Sequence, residues 1–195
     1  MGDGIRGNGR NHGGCRQLHD HRSRPADKRG RRLSRAGAGP EPQPVAIEVV
    51  DPRTPHAQYC LREYFAELDR RFDAGFDPSQ SLPADLDEMR APAGLFLVAF
   101  LHGEPVGSGA LKFHAGEPTE LKRMWVSPAA RGHGVGRRLL TELEQQAAAN
   151  GSRTIRLETN RSLTEAIAMY RSAGYREVDA FNDEQYAHHW FEKDL

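Results

Sequence analysis

Apolar positions divide the chain near residue 45: before it they are scattered singly, and after it they fall into periodic runs. Val45–Val50 (VAIEVV) is β-branched and predicts a first strand, broken by Asp51-Pro52. Thr54-Pro55 has the form of an N-cap followed by proline at the first helical position. Leu61, Tyr64, Phe65, Leu68 and Phe72 then recur at helical spacing, so an amphipathic helix is expected over about 55–73. Gly75 and Pro78 end it, and the stretch from Pro83 to Met89 suggests a short second helix. Leu95–Leu101 (LFLVAFL) is a continuous apolar run, as in a strand covered on both faces. His102–Pro105 reads as a turn, Val106–His114 as a returning strand and Glu120–Val126 as a fourth strand. Val135, Leu139, Leu143 and Ala147 make one stripe of a long helix over Gly134–Asn150. Thr154–Thr159 is a strand, Thr164–Ala173 a helix closed by Gly174, and Tyr175–Val178 and His188–Glu192 are the last strands. The order β-α-α-β-β-β-α-β-α-β-β mixes hairpins with strand–helix–strand crossovers. It predicts an α+β fold with a mixed sheet flanked by helices, not a doubly wound parallel sheet.

Composition sharpens the boundary. A chain of 195 residues favours one domain with an appendage, long enough to build a core without disulfide or metal staples. The net charge of zero hides an asymmetry: residues 1–44 carry 10 Lys and Arg against 4 Asp and Glu, so residues 45–195 have a net charge of −6. The first segment holds 9 of the 20 glycines, no aromatic residue, and only 8 apolar residues, too few to offset the entropy of ordering it. Residues 1–44 are therefore expected to form a disordered, basic Arg/Gly-rich tail, and 45–195 the folded domain. An acidic domain is a poor partner for a phosphate backbone, so nucleic acid is expected only through the tail, whose first reading is an inert leader. No apolar stretch reaches the roughly 18–20 residues of a membrane span, the start has no apolar signal region, and Arg6 stands where a myristoylation motif needs Ser or Thr. No membrane partner is expected. Two cysteines, Cys15 and Cys60, make neither a disulfide framework nor a zinc site, so no metal is expected and a reducing, cytoplasmic location is.

The chemistry concentrates in Val126-Ser-Pro-Ala-Ala-Arg131-Gly-His-Gly134-Val-Gly136-Arg137-Arg138. A strand enters a glycine-rich turn that opens a long helix. Glycines let the backbone approach a ligand, and the free N–H groups of the first helical turn, aided by the helix dipole, suit an anion such as phosphate. A P-loop would need Lys-Ser/Thr where Arg137-Arg138 stand, and a dinucleotide fingerprint would need glycine at Leu139. A plain glycine-rich turn before a capped helix is the alternative.

This segment resembles the GNAT superfamily of acetyl-CoA-dependent N-acetyltransferases, whose signature Arg/Gln-x-x-Gly-x-Gly/Ala is filled by Arg131, Gly134 and Gly136, with Val126 and Pro128 leading in. A second signature of that family is filled by Ala166, Ile167, Tyr170, Gly174 and Tyr175, one helix and one strand downstream. The resemblance covers about 45–195 and implies a V-splayed sheet, with acetyl-CoA wedged between the strands near 120–126 and 154–159. It implies that backbone groups of Met124 and Val126 pair with the pantetheine arm. The N–H groups of Arg131, Gly132, His133, Gly134, Val135 and Gly136 would hold the pyrophosphate, with Arg137 close by. Tyr170 would hydrogen-bond the sulfur and protonate the departing thiolate. Where many relatives carry a cofactor-touching asparagine this chain has Leu163, with Ser162 nearby, and the resemblance passes the cofactor contact to Asn160.

Acetyl transfer to an amine needs a base, an oxyanion donor and an acid for the thiolate. A strand N–H near Val126 suits the oxyanion, and Tyr170 the acid. Glu120 is readable as the general base or as a carboxylate paired with Lys122 or Arg123. His133 reads as an exposed loop residue, and of His188 and His189 at most one can face a site beside Tyr186 and Trp190. For the acceptor, Glu88, Glu120, Glu158 and Asp183 could bind a cationic amine, whereas Arg62 and Arg123 could bind a carboxylate, as for an amino acid. The expected activity is thus transfer of acetyl to a primary amine of a small molecule or a protein, compatible with a homodimer. The alternative is a non-catalytic acyl-CoA sensor or interaction module.

Overall fold

The computed structural model describes residues 45–81 and 85–195; the expected tail, residues 1–44, lies outside the described residues. The elements are β1 (Ala46–Val50), α1 (Pro55–Arg71), β2 (Gly94–Leu101), β3 (Glu104–Lys112), β4 (Thr119–Val126), α2 (Val135–Ala149), β5 (Thr154–Thr159), α3 (Thr164–Ser172), β6 (Arg176–Val178) and β7 (His189–Asp194). They form one seven-stranded sheet in the order β1-β2-β3-β4-β5-β7-β6. Every neighbouring pair is antiparallel except β4–β5, the parallel pair that α2 connects. This is the mixed α+β sheet expected from the pattern. No helix among the described residues is long and apolar enough to cross a membrane.

The apolar run of β2 is explained by two cores, one on each face of the sheet. Leu95, Leu97 and Ala99 pack with Leu139, Leu143 and Ala147 of α2, while Phe96 and Val98 pack with Ala57, Cys60 and Leu61 of α1. Cys60 is a fully buried free thiol whose ionisation is pushed up to about 12 by burial. Each helix docks by its apolar stripe, and the charged residues of α1 and α2 lie largely outside.

Two boundaries differ from the pattern for physical reasons. Residues 86–89 form a single 3-10 turn rather than a second helix, closed by a capping box in which Asp85 accepts from Asp87 N (3.1 Å) and Glu88 accepts from Asp85 N (3.0 Å). The β2–β3 hairpin turns on His102 and Gly103 alone, with φ of 55° and 82°, so Glu104 and Pro105 already belong to β3. Pro105 is tolerated there because the register shifts between Ala99 and Phe100, a bulge where its missing N–H is not needed.

Gly94, at the start of β2, is wedged between two backbone carbonyls. A Cβ there would lie 2.2 Å from both Glu88 O and Leu111 O. Neither can retreat without breaking the turn or the sheet. Gly94→Ala is expected to lower stability by about 1–3 kcal/mol or more, read as a reduced urea midpoint.

Candidate active site

The site begins where β4 and β5 part. They pair only at Thr119↔Ile155 and Glu120↔Arg156, after which the two strands diverge. Just beyond the last paired residue β4 carries a bulge: Ser108 opposes Trp125 and Ala110 opposes Lys122, so Arg123 and Met124 together face one residue of β3. Arg123 takes φ +57°, and its carbonyl accepts from Ser108 Oγ (3.2 Å). The bulge reverses the alternation of the strand. Leu121 lies in the α2 core and Trp125 in the α1 core, although uninterrupted β geometry puts positions 121 and 125 on one face.

Two adjoining hollows occupy the gap. The larger, about 330 Å³, is bordered by Met124, Val126, Gly134, Gly136, Arg137 and Met169. The smaller, about 90 Å³, is bordered by Phe76, Lys122, Arg123, Glu158, Tyr170 and Tyr186. Tyr64, Leu68, Met124, Leu163 and Ala166 border both, so the two communicate along the α1–α3 side of β4.

The glycine-rich turn forms the mouth of the larger hollow. Gly132 and Gly134 have φ of 80° and 76°, conformations that side chains disfavour, and a Cβ at either would meet nothing within 4 Å. Gly134 is the N-cap of α2. The backbone N–H groups of residues 132–137 have no hydrogen-bond partner among the described residues, whereas the Arg131 N–H closes a turn onto Pro128 O at 3.4 Å. Six successive unpaired donors at the start of a 15-residue helix form a cradle for an anion. Val135 is buried, and His133 is exposed with Nδ1 2.9 Å from Arg131 O. Arg137 borders the hollow and donates to Ser172 Oγ of α3 (2.8 Å). Gly136 is the close-packed member, since a Cβ would lie 3.2 Å from Met169 Sδ.

The Arg131 side chain does something the sequence did not announce. Its Nε donates to Val126 O (3.0 Å), and its Nη2 donates to Glu67 Oε1 (2.6 Å) and also to Oε2. Glu67 is buried on α1, where it also accepts from Trp125 Nε1 (3.0 Å) and pairs with Arg71 (3.4 Å). One carboxylate thus ties the turn, the end of β4 and α1 together. The only signal was an acid at position 67, three residues after Tyr64 and next to Leu68, on the apolar stripe of the helix.

Tyr170 projects from α3 to the boundary of the smaller hollow. It is 4% exposed and packs against Tyr175 and Phe191, with ring centroids 5.7 and 6.1 Å away. Its hydroxyl makes no hydrogen bond among the described residues. Burial, reinforced by Tyr64 and Glu158, pushes its ionisation well above the usual tyrosine range, so the hydroxyl keeps its proton. Asn160 borders the same hollow with both ends of its amide engaged: Nδ2 donates to Tyr186 O (2.7 Å) and Oδ1 accepts from Ser162 N (2.9 Å).

Glu120 lies at the closed end of the gap and borders neither hollow. It pairs with Arg156 (2.9 Å) and Lys122 (3.4 Å), and His114 is 3.7 Å away. Burial would raise its pKa, but Lys122 and Arg156 more than offset this and hold it below the usual carboxylate range. The pairing partner is Lys122, not Arg123. Glu158, one side-chain step along β5, borders the smaller hollow and contacts Lys122 and Asn182. Of the other candidates, Glu88 pairs with Lys112 (3.0 Å), Arg62 and Asp183 are exposed, and none of the three borders the gap. His189 pairs with Glu177 (2.6 Å) and His188 is exposed, so Tyr186 alone of that group reaches the site. Among the described residues there is no cluster of His, Cys, Asp and Glu that could hold a metal ion.

Residues 61–175 match the model of the acetyltransferase (GNAT) family. The chain is 38% identical over 125 residues to an IAA acetyltransferase of Azospirillum brasilense, covering 64% of this chain and 82% of the relative. In shape it is similar to a GNAT-family acetyltransferase from Staphylococcus aureus, with a TM-score of 0.63 at 20% identity, covering 77% of this chain and 99% of the other. It is also similar to an aminoglycoside 6'-N-acetyltransferase complexed with coenzyme A, with a TM-score of 0.57 at 20% identity, covering 76% and 96% of the two chains.

Two outcomes follow from the buried charges. Glu67→Ala leaves Trp125 Nε1 without an acceptor and frees Arg131, and is expected to cost about 1–3 kcal/mol in urea unfolding while weakening acetyl-CoA binding. For Glu120, a folded pKa below the unfolded one gives stability that is complete above the ordinary glutamate value of about 4.3 and is lost as pH falls through the folded value. The gap in urea midpoint between wild type and Glu120→Gln is therefore expected to be widest near neutral pH and to close on acidification.

Proposed function

Because the chain belongs to the GNAT family and is an acetyl-CoA-dependent N-acetyltransferase, we propose a direct transfer across the β4–β5 gap with Tyr170 as the general acid. The observation that carries this reading is the Tyr170 hydroxyl: borne on a buried ring, protonated, without a partner among the described residues, and set at the boundary of the smaller hollow. The larger hollow takes acetyl-CoA, its pyrophosphate on the N–H groups of residues 132–137 with Arg137 alongside, and its pantetheine arm along Met124 and Val126. The cradle's unpaired donors and open glycine positions support that fit. The smaller hollow takes the amine.

Bound acetyl-CoA supplies the thioester carbonyl that the amine attacks and a thiolate leaving group. The β4 backbone N–H near Val126 is the donor to the developing oxyanion, held rigid because Trp125 and Arg131 are both fastened to Glu67. Tyr170 gives its proton to the thiolate and regains one from solvent. An ordinary phenol, near 10, is a weaker acid than a thiol near 8.5, but the low-dielectric setting that raises Tyr170 raises the thiol as well. Glu120 acts at one remove, holding Lys122 and so the position of Glu158 at the wall of the amine hollow. Asn160 clamps the β5–α3 connection to the Tyr186 loop and shapes the same wall.

Tyr170→Phe keeps the ring packing against Tyr175 and Phe191 and removes only a hydroxyl that the fold does not use. Turnover is expected to fall by about 10²-fold or more, with acetyl-CoA affinity and thermal stability nearly unchanged. Single-turnover thiol release, calorimetry and a melting curve check this. Normal turnover in the variant would remove Tyr170 from the chemistry.

A further inference from the structure

The smaller hollow holds one cation without an acid partner among the described residues. Of its two cations, Lys122 is taken by Glu158 and Glu120. Arg123 is not: its guanidinium makes no hydrogen bond or ion pair among the described residues, and its Nε is buried without a partner. The acids on the same wall are engaged elsewhere. Glu158 contacts Lys122 and Asn182, and Glu184 accepts from Ser81 Oγ (2.8 Å) and Tyr186 N (3.2 Å). What holds Arg123 is aromatic: its Cζ lies 4.9 Å from the Phe65 ring centroid and 5.6 Å from that of Tyr64. The backbone contributes too, since the φ of +57° at the bulge is one that arginine disfavours. A buried donor without an acceptor, on a strained residue, costs stability unless a ligand supplies the acceptor.

Arginine's planar fork matches a carboxylate bidentately. Phe72, Phe76 and Tyr186 line the same hollow, with ring centroids 4.9 to 5.8 Å apart. Carboxylate recognition and an apolar wall meet within a small space beside Tyr170. From this we infer that the acceptor is a free amino acid with an apolar or aromatic side chain. Its carboxylate binds Arg123, its side chain lies on the Phe72–Phe76–Tyr186 wall, and its amine faces the thioester. This inference rests on the reading that the amine enters through the smaller hollow. In the transfer the amine nitrogen bonds to the acetyl carbon, the C–S bond breaks, one amine proton leaves to solvent and Tyr170 protonates the thiolate. The products are an N-acetyl amino acid and coenzyme A. Arg62, the other arginine that could serve a carboxylate, is exposed on α1 and does not border the hollow.

The test uses the full chain with acetyl-CoA and three amines of one shape: phenylalanine, phenylalaninamide and phenethylamine. Thiol release is expected to favour the acid over the other two by at least about tenfold in kcat/KM. Arg123→Gln is expected to raise KM for phenylalanine by about tenfold or more and to erase the preference, with partial recovery in Arg123→Lys and acetyl-CoA affinity within about twofold by calorimetry. Equal or better turnover of the amide or phenethylamine overturns the inference, as does a preference that survives in Arg123→Gln. Acetyl-CoA binding with turnover of none of the three also overturns it, while leaving the transferase reading standing. Failure of the wild-type chain to bind acetyl-CoA would overturn the reading beneath it.

Discussion

The structure turns on how little β4 and β5 pair. Two residues on each strand are joined, and then the strands part. A sheet interior normally satisfies both edges of every strand, so an opened pair leaves backbone donors and acceptors that need another partner. The bulge at Arg123 and Met124 lies three residues past the last paired one, and the N–H groups of residues 132–137, unpaired among the described residues, follow at the start of α2. The opening that interrupts the sheet is therefore also the surface on which an extended, phosphate-bearing ligand can complete it.

Buried charge holds both ends of that opening. At the closed end Glu120, Lys122, Arg156 and Glu158 join β4 to β5 where backbone pairing stops. At the open end Glu67 binds Trp125, Arg131 and Arg71, so one carboxylate ties α1, β4 and the glycine-rich turn together. Ion pairs of this kind gain little net energy from being buried, but the loss of one partner is costly. Their contribution is to geometry: they fix the width of the gap. Tyr170 shows the same economy. Its ring is packed into the core by Tyr175 and Phe191, which leaves its hydroxyl with nothing to do in folding.

The parts whose causes are local can be read along the chain. Periods of two and of 3.6 located the strands and helices within a residue or two, because burial of one face acts through neighbouring side chains. The turn from Arg131 to Gly136 and the position of Tyr170 were legible for the same reason: left-handed glycines and a tyrosine inside a helical motif are features of short segments. The 86–89 segment departs from the expected helix because its capping box opens a single 3-10 turn.

What depends on residues distant in sequence emerges only when the chain is folded. Nothing in Glu-Leu-Lys-Arg-Met-Trp-Val marks the bulge, yet it moves Trp125 to the opposite core from Leu121 and sets Arg123 among aromatic rings. Arg131 meets its carboxylate 64 residues away, and Lys122 meets Glu158 36 residues away. Which of two arginines enters the site, and whether Glu120 is free or paired, rests on such encounters. A charge carries no record in its own segment of the partner the fold will bring to it, whereas a hydrophobic stripe or a glycine turn carries its reason with it.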